Sequence, residues 1–210
     1  MHRTRIKICG ITNTHDAALA VAAGADAVGV IFAPSPRQVT VEQAVAALAD
    51  VPPPVARVGV FVDPSAEQVA RAVEACGLTA VQLSGHESPE VCDLVPVPVL
   101  KAIHIGTDFP LEMAEPYRGH AAALLLDTLV PGKAGGTSQA FNWLTLGVLP
   151  GWAPSFIAGG LKPDNIAACV AALRPFAVDV SSGVEASPGI KDPDKIVAFC
   201  AAVRGADQEV

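Results

Sequence analysis

Short apolar, β-branched runs begin near Ile6, Ala27, Val55, Thr79, Val97, Ala122, Pro154 and Phe176. Their mean spacing of about 24 residues is that of a strand followed by a helix, so the chain reads as eight such units. Runs such as Ala27 to Ala33 and Leu124 to Leu126 are apolar at nearly every residue, the mark of parallel strands covered on both faces. The intervening segments carry helix punctuation. Thr40 with Gln43 and Ser65 with Gln68 are capping boxes, in which each side chain satisfies a backbone donor at a helix start. Ser88-Pro89 and Asp192-Pro193 put a capping oxygen before the one residue whose missing N–H suits the first helical position. Val69, Ala72, Val73 and Cys76, and later Ile196, Phe199, Cys200 and Val203, each fall on one helical stripe. The expected fold is α/β, a single-domain (β/α)8 TIM barrel of eight parallel strands over residues 1–210, with 205–210 as a frayed polar tail. An open doubly wound sheet has similar content, and spacing alone does not separate the two.

Composition narrows the partners. With 51% hydrophobic and 17% charged residues, the chain fills a core and is not intrinsically disordered. A net charge of −7 disfavours nucleic acid and anionic membrane as partners. No apolar run approaches the roughly 18 residues of a membrane span, and no signal-peptide core follows Met1, so a soluble, cytoplasmic protein is expected. The five cysteines are odd in number and lack a C-x-x-C pair, which points to reduced thiols rather than disulfides or zinc. The five histidines have no ligand spacing; surface or packing roles suit them better, and no metal is implied. Monomer and homodimer stay open, because a helix stripe facing a barrel reads like one facing a partner.

In a barrel, catalytic groups gather where strands end. The predicted strand ends carry Cys9-Gly10, Ser35-Pro36-Arg37, Asp63, Gln82 with Ser84, Asp127, Gly159-Gly160, and Asp179 with Ser181-Ser182-Gly183. Glycine pairs after the last two strands expose backbone N–H groups beside helix starts, which suits a phosphate; the same glycines would also serve simply to turn the chain. Cys9 is the one cysteine at a strand end, the other four falling on helices. Lys7 shares its face and would lower the thiol pKa, or pair with Asp127 or Asp179 inside the barrel. Asp127 follows three leucines, a setting that would keep its carboxyl protonated, with a structural salt bridge as the competing reading. Gly132 to Thr137 lacks the ending of a phosphate loop, and no G-x-S-x-G supports a serine nucleophile.

At Lys7-Ile8-Cys9-Gly10-Ile11-Thr12 the chain resembles the opening motif of the phosphoribosylanthranilate isomerase family of tryptophan biosynthesis. Gly29 to Arg37, Val58 to Ser65, Leu125 to Thr128, Ala158 to Leu161, Val178 to Glu185 and Gly189 to Ile196 resemble its later motifs in the same order. The resemblance spans about Ile6 to Phe199 and implies a (β/α)8 barrel that performs an Amadori rearrangement of a phosphorylated small molecule without a cofactor. By resemblance Cys9 is the general base and Asp127 the general acid. Arg37 aligns with the arginine that holds the anthranilate carboxylate, Gly159, Gly160, Ser181, Ser182 and Gly183 with the phosphate loops, and Asp179 with a residue near the ribose hydroxyls. Three positions depart from the pattern: Ser84 stands where the family has histidine, and Ser138 and Asn142 replace glycine and aspartate after the sixth strand. A sister isomerase of histidine biosynthesis would use two aspartates, against which Cys9 speaks. A phosphosugar-binding barrel without catalysis would need neither Cys9 nor Asp127.

Overall fold

A computed structural model describes residues 3–105, 111–128 and 149–208. Eight parallel strands close into a barrel in sequence order: β1 (Arg5–Cys9), β2 (Ala27–Ile31), β3 (Ala56–Phe61), β4 (Ala80–Leu83), β5 (Val99–Ile105), β6 (Ala123–Thr128), β7 (Ser155–Ala158) and β8 (Ala177–Val180). Each begins within two residues of its expected start. The pairing of β8 with β1, which sets Lys7 beside Asp179, closes the ring and excludes the open sheet. Helices α1 (Thr14–Ala22), α2 (Val41–Leu48), α3 (Ala66–Cys76), α4 (Pro89–Asp93), α5 (Ile166–Leu173) and α6 (Pro193–Gln208) lie between or after the strands. A short hairpin, β9 (Glu185–Ser187) with β10 (Ile190–Lys191), follows β8 and was not anticipated.

Strand alternation divides the side chains. Ile8, Val28, Val30, Val81, Leu83, Ile103, Leu124, Leu126 and Val178 face outward and join the helix stripes, Phe199 and Val203 among them, in one apolar cluster. A smaller cluster of Leu100, Ala102, Leu125 and Ala158 fills the barrel's interior, so the polar groups stacked above it stand on a packed floor.

Both capping boxes form, with reciprocal hydrogen bonds at Thr40/Gln43 and Ser65/Gln68. Asp192 Oδ1 accepts from the Asp194 and Lys195 amides, as the Asp-Pro signal predicts. Three expectations are corrected. Ser88 stands at the N-cap of α4 without making a side-chain capping bond. Between β5 and β6, short 3-10 turns (Leu111–Met113, Glu115–Tyr117) stand where the repeat predicts an α-helix, and Pro116 there has no N–H for an i→i−4 bond. The tail does not fray at Gly205: α6 continues to Gln208, Ala206 is buried, and Asp207 accepts from the Thr4 amide and hydroxyl.

Candidate active site

The C-terminal end of the interior holds a buried ammonium. Lys7 is fully buried and donates to Gln82 Oε1 and Asp179 Oδ1, each at 2.9 Å, which makes Asp179 rather than Asp127 its partner. Cys9, the last residue of β1 and also buried, lies against the same ammonium. Gly29 on β2 makes room for both: a Cβ there would stand 2.9 Å from Cys9 Sγ and 3.3 Å from Lys7 Cε. Burial would lower the Lys7 pKa, but Asp179 and Cys9 outweigh it and leave it raised, so the charge persists. For the thiol the balance reverses: burial pushes Cys9 up further than Lys7 pulls it down. The sequence expectation of a lowered thiol is therefore corrected, because the strand end that brings Lys7 close also removes water. Cys76, Cys92, Cys169 and Cys200 lie on helices, buried and unbridged, as expected.

Asp127 is the penultimate residue of β6 and stands two residues above the interior Leu125. Strand alternation therefore puts Asp127 and Cys9 on the same interior face at the mouth, on strands three places apart in the ring. The leucines before Asp127 do not enclose it: Leu124 and Leu126 point to the helices, and the carboxylate side chain is 33% exposed. Its neighbour is an imidazole the sequence reading assigned to surface or packing. His104 pairs with Asp127 in the β5–β6 register, with Nδ1 4.0 Å from Asp127 Oδ2. His104 Nε2 lies 2.9 Å from the Ser84 carbonyl oxygen. A carbonyl only accepts, so Nε2 carries the hydrogen and Nδ1 faces the carboxyl. Alternation along Leu100, Ala102 and His104 was the signal that could have found it.

Arg37 also reaches this mouth. Its Nε and Nη2 donate to Glu185 Oε1 and Oε2, both at 2.7 Å, a paired contact with a residue not singled out from the sequence for any role. Lys191 Nζ donates to Glu185 Oε1 at 3.0 Å and to the Ser181 carbonyl at 3.1 Å. Burial would raise the Glu185 pKa, but Arg37 and Lys191 hold it below the usual carboxylate range. At Gly10, with φ +74°, a Cβ would stand 2.6 Å from Arg37 Cδ and 2.8 Å from Ser181 Oγ, so glycine lets these two side chains converge on the end of β1.

The two glycine-bearing loops touch. A Cβ on Gly183 would land on the Leu161 carbonyl oxygen, so only glycine allows the turn after β8 to pack on the loop after β7. Gly159 and Gly160 both take positive φ, and Asn165 ties that loop by accepting from the Lys162 amide and donating to the Gly160 carbonyl. Ser181 Oγ is buried and has no hydrogen-bond partner among the described residues, a costly state unless another group binds there.

The sequence profile of N-(5′-phosphoribosyl)anthranilate (PRA) isomerase matches residues 6–202. The N-(5′-phosphoribosyl)anthranilate isomerase of Acidithiobacillus ferrooxidans is 47% identical over 206 residues, covering 98% of this chain and 100% of that one. The chain belongs to the phosphoribosylanthranilate isomerase family. Its fold matches the crystal structure of the Thermotoga maritima phosphoribosyl anthranilate isomerase with a TM-score of 0.88, at 41% identity, over 96% of this chain and 99% of that one. A phosphoribosyl anthranilate isomerase in complex with reduced 1-(o-carboxyphenylamino)-1-deoxyribulose 5-phosphate matches with a TM-score of 0.85, at 40% identity, over the same shares of the two chains. Against the family pattern, Ser84 leaves strand four without an imidazole, and His104 from strand five brings one onto the Ser84 carbonyl. Ser138 and Asn142, with the Gly132 to Thr137 segment, lie outside the described residues.

Proposed function

We propose that this chain converts N-(5′-phosphoribosyl)anthranilate into 1-(2-carboxyphenylamino)-1-deoxyribulose 5-phosphate, with Asp127 as general acid and Cys9 as general base. The observation that carries the reading is the shared interior face of these two side chains at one mouth, beside the glycine loops after β7 and β8. Asp127 gives a proton to the furanose ring oxygen as the C1′–O bond breaks, and the anthranilate nitrogen lone pair forms the C1′ iminium. Cys9 in its thiolate form, which the Lys7 ammonium favours against burial, takes the C2′ proton, and the C–H electron pair becomes the enolamine double bond. Ketonisation then moves the enol hydroxyl proton to C1′, and the thiol proton returns to Asp127. Carbon C1′ is reduced as C2′ is oxidised, so the electrons balance within the substrate and no redox cofactor enters.

Gly159, Gly160, Ser181, Ser182 and Gly183 hold the phosphate, with the unpaired Ser181 hydroxyl as one donor. Asp179 stands near the ribose while its Oδ1 keeps Lys7 in place. Arg37 takes the anthranilate carboxylate through the Nη1/Nη2 edge that Glu185 leaves open. Loss of fluorescence of phosphoribosylanthranilate on adding the purified protein tests the reaction; no loss refutes it. Cys9→Ala and Asp127→Asn are expected to collapse kcat with KM largely kept, and near-full kcat in either rejects that residue's role.

A further inference from the structure

We propose that Lys191, acting through Glu185, supplies the net positive charge with which Arg37 recognises the substrate carboxylate. The inference rests on the assignment of Arg37 above and adds a positioning residue behind it. Arg37 alone does not present a free cation: its Nε and Nη2 are already paired with the Glu185 carboxylate at 2.7 Å, with Arg37 and Glu185 side chains only 13% and 5% exposed. Such a pair is neutral overall and has little to offer a second carboxylate in a desolvated site.

Lys191 changes the count. It is fully sequestered on β10, and among the described residues its ammonium donates to Glu185 Oε1 and the Ser181 carbonyl oxygen. Two cations and one anion leave a single positive charge, delivered at the Nη1/Nη2 edge of a guanidinium whose orientation Glu185 sets through Nε and Nη2. Cys9 lies within electrostatic reach of both Arg37 and Lys191, and as the neutral thiol that burial favours it leaves this count unchanged. Lys195 Nζ donates to the Glu185 carbonyl and is balanced by Asp192 at 3.6 Å. Asp16 accepts from the Lys191 backbone amide and from Asn13, in the first turn of α1 where the helix dipole favours it. The hairpin of β9 and β10, whose strands carry Glu185 and Lys191, is thus an extension of the carboxylate site.

A double-mutant cycle tests this. Dissociation constants of reduced 1-(o-carboxyphenylamino)-1-deoxyribulose 5-phosphate, and of the same compound without its ring carboxylate, are measured calorimetrically for wild type, Lys191→Met, Glu185→Gln and the double variant. For the carboxylate compound, Lys191→Met costs about tenfold in the wild-type background and less than about threefold in the Glu185→Gln background, where Arg37 already carries an unneutralised charge. For the compound lacking the carboxylate, the four constants agree within about threefold. Equal losses in both backgrounds, or equal losses for both compounds, overturn the proposal, since a purely structural lysine predicts both. Should Lys191→Met fail to fold, the double variant, which keeps the same net charge of one as the wild-type cluster but carries it on Arg37 alone, decides: binding within about threefold of wild type supports the proposal and a loss of about tenfold overturns it. Wild-type turnover judges the isomerase reading separately, because the cycle reads binding alone.

Discussion

Replacing Lys7 by Met removes the buried cation of the site while keeping an unbranched stem of similar length. Asp179 then keeps a carboxylate whose side chain is 9% exposed and whose ion-pair partner, formerly at 2.9 Å, is gone. Removing one member of a buried pair typically costs about 3–5 kcal/mol, and the unpaired Gln82 carbonyl adds about 1–3 kcal/mol at most. The Lys7→Met/Asp179→Asn double variant removes both charges and should recover most of that loss, as read by urea unfolding. The effect on the thiol is separate. The Lys7 charge pulls the Cys9 pKa down against burial, so losing it should carry that pKa still higher and lower kcat/KM at neutral pH. Thiolate absorbance at alkaline pH, with Cys9→Ala as the blank, measures it. Burial pushes Cys169 to about 12 and Cys200 to about 11, so these two contribute little below about pH 10. A Lys7→Met thiol that titrates with the wild type, or below it, refutes the electrostatic link between Lys7 and Cys9.

Gly183→Ala places a methyl group on the Leu161 carbonyl, so the two phosphate-loop segments must separate; KM for phosphoribosylanthranilate should rise about tenfold or more, and an unchanged KM would remove the loops from the binding site. Phe199→Ala, at a fully buried position of α6, should cost about 3–5 kcal/mol in urea unfolding; a loss below 1 kcal/mol would show that the helix stripe does not carry the core. Glu87 accepts from Lys101 and from the Asp63 and Gly85 amides. Burial would raise its pKa, but Lys101, the Asp63 amide and Glu87's own backbone amide hold it below the ordinary carboxylate value. Its stabilising contribution is therefore complete above about pH 4.3 and lost as pH falls through the lower folded-state value; Glu87→Gln should flatten that acid limb, and an unaltered limb rejects the assignment. Cys9 has the opposite sign. With its folded pKa raised, stability is retained below about pH 8.5 and declines as pH climbs toward the folded value, so Cys9→Ala should weaken the alkaline loss.

Much of the architecture was legible because it rests on local rules. The strand starts, both capping boxes, the Asp192 cap and the buried stripe of α6 each follow from residues within a few positions of one another. The 3-10 turns that stand among the described residues before β6, and the helical tail beyond Gly205, were misread because propensity and polarity do not report what a segment packs against. At the site, alternation was enough to place Cys9 and Asp127 on one face, yet it misjudged both environments. The leucines beside Asp127 point away from it, and the thiol beside Lys7 is dominated by burial.

The chain alone therefore determined the repeat, the helix boundaries and the identity of the chemistry-bearing strand ends, because each is written in neighbouring residues. Barrel closure, the choice of Asp179 for Lys7, the approach of His104 to Asp127, and the joining of Arg37 to Glu185 and Lys191 belong to the tertiary structure. Each of these pairings joins residues at least 23 positions apart, except Glu185 and Lys191, which a hairpin folds together. Charge and hydrogen-bond energies depend on distance and on excluded water, and neither exists until the ring has closed.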